Sequence, residues 1–552
     1  MFLKANGKDG RIYYTLAHNE RVDGKIVCNT IQYLGKLSDE QVNAVKAWLD
    51  SSPIGKAKVP MISIPSWKDV RITESFNHGS VALAYSVVKR TGLIPILFDG
   101  LAGEGNTQDL VRISLLIIAN RLVAPCSKRH ILTWMNYTTL PFILGINNAK
   151  IHENKLYRTM DVVWKRKDKI ERLLWERKTK HEYDGTCKVY KDLTSSFFYG
   201  NKSEVGKHGY SREKRPDLLQ VNWSLVVTPD GKPITMEMYP GNVPDKNTVK
   251  GTCHRLKTLF KIEDCVFLGD RGLMTEDNVQ VVNGYEYHYV FAEIEDNVID
   301  VIEEALSKGF KVIDDDMSGC KIKRGKENYI VIKSKDKLLR DMASRLKRIE
   351  KGEEILIAGL QTVKNGTWVK HDVVLKHLLK KLVKKKVDTF FDLEIPPTPV
   401  KEFTWTVKDT NREKTDGIWV LRTDLKQSMD EIVEMYKGMW IIERGFRTIK
   451  SHLKVKPMNH RLRKRIGAHL FLCVLAYYVS KEIEEKLDEG MDQTDVLIEK
   501  FSSISFNRLE IGKHNPVRVN RVTELNPEQK RYLKKLGISK KSFDSMKNVE
   551  LV

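Results

Sequence analysis

The sequence lacks the features that define several large classes of protein. Its seven cysteines are odd in number and form no Cys-x-x-Cys pair, which argues against a disulfide scaffold and a zinc ribbon and favours a reducing compartment. The longest apolar run, Gly467 to Val479, has thirteen residues and contains His469. A membrane-spanning helix needs about 20 residues, so we expect a buried core helix there. The segment MFLKANGKDG has no apolar core of the signal-peptide type, so we expect a cytoplasmic protein without a membrane partner.

Positive charge, in contrast, is abundant. The 552 residues include 94 Lys or Arg against 72 Asp or Glu, a formal net charge of +22. This surplus favours a polyanionic partner such as nucleic acid. Hydrophobic residues make up 41%, enough to bury several cores, and the length predicts two to four folded units. No G-x-x-x-x-G-K-[ST] motif is present, so we expect no nucleotide cofactor.

The hydrophobic period changes along the chain. Residues 11–35 alternate around a turn at 22–25 and predict a hairpin, whereas 70–180 have helical spacing. From 186 the period is two, with intervening helical stretches, which predicts an α/β fold with a mixed sheet covered by helices. The strands expected there are Lys188–Tyr199, Leu218–Val227, Pro233–Tyr239, Cys265–Gly269 and Tyr287–Phe291. A helix is expected at Asp245–Phe260, a further strand at Gly417–Arg422, and a long helix from about Met429 to Leu453.

Two aspartates occupy unusual positions in the predicted sheet. Asp192 lies inside a strand, in VYKDLTSSFF, where propensity disfavours an acid. Asp270 directly follows the strand Cys265–Gly269, at the end where α/β sheets bind ligands. A turn or cap acid is an equally good interpretation of Asp270 alone, and Asp192 could simply face solvent.

A third acid, Glu443, lies in the long helix. Between Tyr436 and Ile466 there are ten Lys or Arg and this single acid. A seven-residue step rotates a helix by only about −20°, so Tyr436, Glu443 and Lys450 share one stripe. An ordinary ion pair between Glu443 and Arg447 is the alternative interpretation.

Together, the three acids suit phosphoryl transfer. Two divalent ions roughly 3.5–4 Å apart activate the attacking oxygen and neutralise the transition state, and Mg²⁺ prefers carboxylate ligands. The acids are 78 and 173 residues apart, and the longer interval requires an inserted domain.

Over nearly its whole length the chain resembles the DDE transposases of bacterial insertion sequences. The resemblance rests on these segments, in this order: VYKDLTSSFFYG, GYSREKRPDLLQV, PDGKPITMEMYPGN, FLGDRGLMTEDN, TDGIWVLRTDL, YKGMWIIERGFRTIKSHLKVKPMNHR and RIGAHLFLCVLAYYV. It implies a ribonuclease-H-like mixed sheet with flanking helices, interrupted by an insertion domain and preceded by a helical region. The domains it implies are 1–67, a β-rich module; 68–180, a helical region that is a candidate for binding DNA ends; 181–294, the first part of the catalytic core; 295–427, the insertion; 428–480, the second part of the core; and 481–552, a C-terminal helical region.

The resemblance also implies roles for individual residues. Asp192, Asp270 and Glu443 would be the catalytic residues and would bind two Mg²⁺, for which Mn²⁺ can substitute. The family's Tyr-Arg-Glu-Lys signature falls on Tyr436, Met439, Glu443 and Lys450, so Met stands at the Arg position. Arg444 or Arg447 could replace that Arg, and Arg447 is better placed by angle. The candidate DNA contacts are Tyr436, Arg444, Arg447, Lys450, Arg271, Arg212, Lys214 and Arg215, with the basic stretch Arg461–Arg465 as a further one.

Such enzymes act as dimers on double-stranded DNA, nicking the element's ends and joining the freed 3′-hydroxyls to target DNA. Two alternatives remain open at this point. One is a metal-dependent nuclease without strand transfer, and the other is a non-catalytic DNA-binding protein.

Overall fold

The computed structural model describes residues 1–8, 11–22, 24–51, 70–180, 186–273, 275–408, 415–487, 494–512 and 517–543. Every candidate site residue lies within these ranges. The predicted boundary near residue 67, the predicted start of the catalytic core at 181–185 and part of the turn at 22–25 lie outside the described residues.

The strands follow the period-two segments of the sequence. In chain order they are β1 (Phe2–Lys8), β2 (Arg11–Val22), β3 (Lys25–Gly35), β4 (Val70–Asn77), β5 (Cys187–Phe197), β6 (Gln220–Val227), β7 (Pro233–Pro240), β8 (Cys265–Gly269), β9 (His288–Glu293), β10 (Lys311–Val312), β11 (Met317–Arg324), β12 (Glu327–Ser334), β13 (Phe391–Glu394), β14 (Thr404–Val407), β15 (Ile418–Thr423), β16 (Ser505–Ile511) and β17 (Val517–Val522).

The helices are concentrated before and after the central strands. They are α1 (Asp39–Ser51), α2 (Gly79–Arg90), α3 (Leu93–Leu101), α4 (Thr107–Val123), α5 (Lys128–Asn136), α6 (Leu140–Leu144), α7 (Glu153–Lys165), α8 (Lys167–Leu174), α9 (Val249–Thr258), α10 (Glu276–Gly284), α11 (Ile299–Lys308), α12 (Lys335–Lys364), α13 (His371–Lys385), α14 (Met429–Lys437), α15 (Trp440–Arg447), α16 (Arg463–Lys486), α17 (Thr494–Lys500), α18 (Pro527–Lys535) and α19 (Lys540–Phe543).

The chain forms two compact units. The first comprises Met1–Phe76 and Phe506–Thr523. It contains the antiparallel sheet β1-β2-β3, which includes the predicted hairpin of residues 11–35, and the sheet β17-β16-β4. The strands β4, β16 and β17 correct the expectation that 68–180 and 481–552 are helical regions. These strands are short and, apart from Phe506, half-buried or exposed, so their apolar residues give only a weak signal in the sequence.

The second unit, Asn77–Ser505 and Glu524–Val552, is built on a mixed sheet. Among the described residues this sheet has nine strands in the order β10-β11-β12-β15-β9-β8-β5-β6-β7. The strands β5, β8 and β9 run parallel, and the remaining pairs are antiparallel. One face packs on α9 and α10 through an apolar cluster that includes Val189, Phe267 and Phe291. On the opposite face, Phe446 of α15 contacts the buried Trp223 edge-on at 5.1 Å.

The segment 295–427 is more closely joined to the sheet than an independent insertion would be. Its two ends supply β10, β11, β12 and β15 to the central sheet and form an apolar cluster with α11 that includes Ile302, Val331 and Val420, and the part between them has a further apolar core of its own. That core lies between α12, α13, β13 and β14 and includes Leu356, Leu378 and Phe403. We call this part, residues 335–408, the lobe. The strands that bracket it pair directly, with Lys333 opposite Ile418 and the Ser334 N–H donating to the Gly417 carbonyl at 2.9 Å.

The apolar run at 467–479 lies in α16, and its residues are buried throughout. By length and composition this helix could cross a membrane, as could two bent helix pairs if each were one span. In the structure, however, 89% of its most apolar stretch lies inside the protein. The predicted core helix is therefore confirmed.

Candidate active site

Asp192 and Asp270 lie on neighbouring parallel strands. In the pairing of β5 with β8, Tyr190 is opposite Leu268, so two residues further along Asp192 is level with Asp270. Alternation in β5 directs Asp192 to the face on which α15 packs, whereas Lys191 points to the α9 side. The sheet therefore brings together two of the three predicted acids.

The two carboxyl groups interact electrostatically. Burial in the sheet and, next, the negative charge of Asp270 raise the pKa of Asp192 to about 7. The Leu193 N–H, which donates to Asp192 Oδ1 at 2.6 Å, and the Arg212 guanidinium act in the opposite direction. A partly buried acid beside a second acid is a site where a cation would stabilise the ionised form.

Tyr436 lies close to all three predicted acids. Burial raises the pKa of its hydroxyl, and the charges of Asp270, Asp192 and Glu443 add to the effect, while Arg271 opposes it. The Tyr436 ring lies 5.6 Å from that of Trp419 on β15. The predicted long helix is here a series of shorter segments, because α14 ends before Gly438 and a π-helical turn at Thr448–His452 follows α15. Glu443 itself is exposed on α15.

The candidate replacements for the signature Arg differ in their surroundings. Met439 is buried, with 8% of its surface exposed, and offers no polar group to a phosphate. Arg444 lies over the Trp440 ring and 3.7 Å from the Glu484 carboxylate of α16. Arg447 is exposed on α15, one turn beyond Glu443. Of the two arginines, Arg447 is therefore the freer to reach a ligand on the side of Glu443.

Carboxylates that the sequence analysis did not single out hold several of the predicted DNA contacts. The Glu213 carboxylate lies 2.9 Å from Lys450 Nζ and 2.7 Å from Lys456 Nζ. Lys450, the lysine of the family signature, is therefore already paired with an acid. Arg212 forms an ion pair with Asp245, which begins the 3₁₀ turn before α9. The sequence analysis names the basic residues Arg212, Lys214 and Arg215 of this segment as DNA contacts and does not identify the role of its single acid, Glu213.

The other predicted contacts are more exposed. Arg215 binds both carboxylate oxygens of Asp217, at 2.7 to 3.2 Å. Arg271 is 3.4 Å from Glu295. Lys214 is exposed, and its φ of 56° places its backbone outside the regular strand and helix conformations.

A further carboxylate, that of Asp245, lies near Asp270 at Gly272. The Gly272 N–H donates to Asp270 Oδ1 at 2.9 Å. A Cβ atom at Gly272 would lie 3.1 Å from Asp270 Oδ1 and 3.3 Å from Asp245 Oδ2, so two carboxylates converge on this glycine. The position of Asp245, a few residues after a strand and before a helix, is the signal by which the sequence could have revealed it.

Because the two carboxylates leave little space at Gly272, the substitution Gly272→Ala should displace them by a few tenths of an ångström. We expect DNA cleavage to fall about tenfold, since small misplacements of reacting groups are costly, while the unfolding midpoint changes little. Gly284→Ala is the matched control, because a Cβ at Gly284 meets no atom within 4 Å. Equal cleavage rates for the two variants would contradict this account of the site.

The donor chemistry of the acid pair fits a divalent metal. Asp192 and Asp270 supply hard oxygen ligands, and the pKa of Asp192 is raised by burial and, next, by the charge of Asp270, both of which a bound cation would offset. Within the part of the chain that the structure describes, no group of three or more His, Cys, Asp or Glu is close enough together to hold a metal. The structure therefore pairs Asp192 with Asp270, and the two do not form a metal-binding cluster of three with Glu443.

A sheet that pairs an acid inside one strand with an acid at the end of the neighbouring parallel strand, faced by a helix with a third acid, is an architecture suited to phosphoryl transfer. Residues 192–479, just over half of the chain, match the family model described as "Transposase DDE domain". The chain therefore belongs to the family of transposases with a DDE domain.

Two individual proteins are also similar to parts of the chain. A protein of Sinorhizobium fredii (strain NBRC 101917 / NGR234), named "Putative transposase y4zB", is 33% identical over 81 residues. The match covers 15% of this chain and 21% of that protein, so the chain spans about a fifth of the length of this relative. A cryo-EM structure of the piggyBac transposase synaptic complex with hairpin DNA aligns over 79% of this chain and 81% of its own, at 10% identity and a TM-score of 0.35. At that TM-score the likeness carries no structural argument.

Proposed function

We propose that this protein is a transposase that cuts DNA strands at the ends of an insertion sequence and joins the freed 3′-hydroxyls to target DNA. The observation that carries the proposal is the electrostatic coupling of Asp192 with Asp270 inside the segment that matches the transposase family. In this proposal the mixed sheet is a ribonuclease-H-like core, and the lobe at 335–408 belongs to an insertion before the third acid.

We assign Asp192, Asp270 and Glu443 as catalytic residues and as the ligands of two Mg²⁺ or Mn²⁺ ions. When bound, these ions supply charge neutralisation and activation of the attacking oxygen. The protein's own side chains would compensate charge at the site and bind the DNA phosphates. Arg212 offsets the charge of Asp245 beside the acid pair. Arg447 and Lys214 are exposed and can bind phosphates of the DNA backbone. Lys450 must exchange Glu213 for a phosphate in order to contact DNA.

The proposal extends to the organisation of the molecule. We propose that residues 68–180 contribute to binding of the element's ends, and that the enzyme acts as a homodimer on DNA in the cytoplasm. The net charge of +22 supports a polyanionic partner but does not select a sequence.

The test is a supercoiled plasmid that carries the DNA flanking the coding region on both sides, incubated with the protein and Mg²⁺. Cut and joined products are expected. Cutting without joining would instead identify a nuclease, and a band shift without cutting would identify a DNA-binding protein. Chelation of the metal should abolish cleavage, and added Mg²⁺ or Mn²⁺ should restore it.

The Tyr436 hydroxyl offers a second test, because it lies among the acids and its ring is held by Trp419. In Tyr436→Phe the ring remains and only the hydroxyl is lost. We expect about a tenfold loss in cleavage rate, the effect of one hydrogen bond of roughly 1–1.5 kcal/mol to the DNA backbone. Tyr137→Phe removes the hydroxyl of a tyrosine in the helical region that is 68% exposed, and it should leave cleavage unchanged. An active Tyr436→Phe protein would exclude a role for the hydroxyl.

A further inference from the structure

A cavity of about 220 Å³ lies apart from the acid pair, between the start of α5 and residues 454–460. This is several times the volume of roughly 30 Å³ that one water molecule occupies in the liquid. The described residues that line it include no Asp or Glu. Its polar lining is dominated instead by bases: Arg121, Lys128, Arg129, Lys454, Lys456 and His469.

Two of these bases are buried at the bottom of the cavity. Lys128 has 3% of its surface exposed and Arg121 has 2%. Lys128 Nζ lies 3.3 Å from His469 Nδ1. The other ring nitrogen, Nε2, lies 2.9 Å from the Val455 carbonyl, which can only accept, so Nδ1 carries no proton and accepts from the lysine. Lys128 is thus left with further donors, and none of the described carboxylates is paired with it.

Arg121 is also incompletely satisfied. It donates to Asn120 Oδ1 at 3.0 Å and to the carbonyls of Cys126 and Lys454. Within the described part of the chain its buried Nε has no hydrogen-bond partner of normal geometry, and the buried Cys473 thiol lies next to the guanidinium. Burial, followed by the positive charge of Arg121, lowers the pKa of Lys128 to about 7. Buried cations that repel one another are costly unless an anion joins them.

The entrance of the cavity is also basic. Arg129 and Lys454 are exposed there, and Ser127 caps α5 by accepting from the His130 N–H at 3.3 Å. Of the nearby acids, Glu213 contacts Lys456, Asp161 contacts Lys464 and Arg465, and Glu153 accepts from the hydroxyl of Tyr157. An anion entering this cavity would therefore meet basic groups from its rim to its floor.

We propose that this cavity binds a phosphate group through Lys128 and Arg121, and that in the DNA complex the group is a phosphate of the DNA backbone. Phosphate oxygens accept from an ammonium group and from a guanidinium, and here the Lys128 ammonium and the Arg121 Nε have donors to offer. Only the DNA source rests on the proposed function. Binding of phosphate as such does not depend on catalysis.

The test uses the full-length protein and inorganic phosphate, with binding measured by calorimetry at constant ionic strength. Lys128→Met keeps the aliphatic stem and removes the charge, and we expect at least a tenfold loss of phosphate affinity. Lys89→Met, at an exposed position on α2, is the matched control and should bind as the wild type does. Arg129→Gln at the exposed rim provides a variant that cannot disturb the core, with an expected loss of about threefold. Unchanged affinity in both cavity variants would overturn the proposal.

A second measurement identifies the source of the phosphate. Affinity for a double-stranded oligonucleotide is measured over a range of salt, and the slope of log K against log salt should decrease in size by about one in Lys128→Met. If phosphate binding is lost while the DNA slope is unchanged, the cavity serves a free phosphate compound and the assignment to DNA is wrong. If the wild type binds phosphate but cuts no DNA, the cavity proposal stands and the proposed function fails.

Discussion

Glu443→Gln is expected to reduce DNA strand cleavage by about 10³-fold or more while DNA binding is retained. The substitution preserves the shape of the side chain and removes one negative charge from the group we assign as a metal ligand. Metal-assisted stabilisation of the transition state is worth several kcal/mol, and each 1.36 kcal/mol corresponds to a factor of ten in rate. Because Glu443 is exposed on α15, the fold does not depend on it. A plasmid-cleavage assay together with a band-shift assay measures the two effects separately.

Glu434→Gln is the matched control for this experiment. Glu434 is an exposed acid on α14, on the same run of helices, and 80% of its side chain is accessible. Its removal changes the net charge by the same amount and should leave cleavage unaffected. Full activity in Glu443→Gln would remove the third acid from the mechanism.

Replacing Glu171 with leucine is expected to lower the free energy of unfolding by about 3–5 kcal/mol. Glu171 lies on α8 with 3% of its surface exposed. Its carboxylate accepts from Lys167 at 2.7 Å and from Arg255 of α9 at 3.0 Å. It also accepts from the Thr235 hydroxyl at 2.9 Å and from the Met236 N–H of β7 at 3.0 Å. Asp168 also contacts Lys167 and Arg255, at 3.5 and 2.8 Å, but it is 57% exposed. Removing Glu171 therefore leaves the Thr235 hydroxyl and the Met236 N–H without their buried acceptor and the two bases with one exposed acid between them, which is costly.

This prediction is measured by urea unfolding. The control is Glu528→Gln, which breaks an exposed pair with Lys500 at 2.6 Å. Surface pairs of this kind contribute about 0–1 kcal/mol, so its unfolding curve should nearly overlay that of the wild type. A similarly small change in Glu171→Leu would show that α8 does not depend on this network for its attachment to the sheet.

The sheet was largely predictable because its strands carry their signals locally. The strand Cys265–Gly269 has the predicted limits, and Lys188–Tyr199 differs from β5 by one or two residues at each end. Since β5 and β8 are parallel neighbours, an acid within one and an acid at the end of the other were brought together by topology alone.

Other features depend on partners far away in the chain, which local periodicity does not reveal. β12 precedes the lobe and β15 follows it, and the two strands pair with each other in the sheet. The limits predicted for the insertion, 295–427, therefore include strands of the central sheet. The counter-charges Glu213 and Asp245 were missed for the same reason. Each is ordinary in its own segment and becomes informative only beside Lys450 or Arg212.

The direct pairing of Lys333 with Ile418 means that the chain leaves and re-enters the sheet at adjacent positions. In the sheet, β12 and β15 form an antiparallel pair, and the lobe lies in the connection between them as a loop does in a hairpin. The entropic cost of closing such a loop rises only slowly with its length. Segments of very different size can therefore be exchanged at this point without altering the strands on either side. The lobe is a part that evolution or an engineer can swap while the chemistry next to it is left in place.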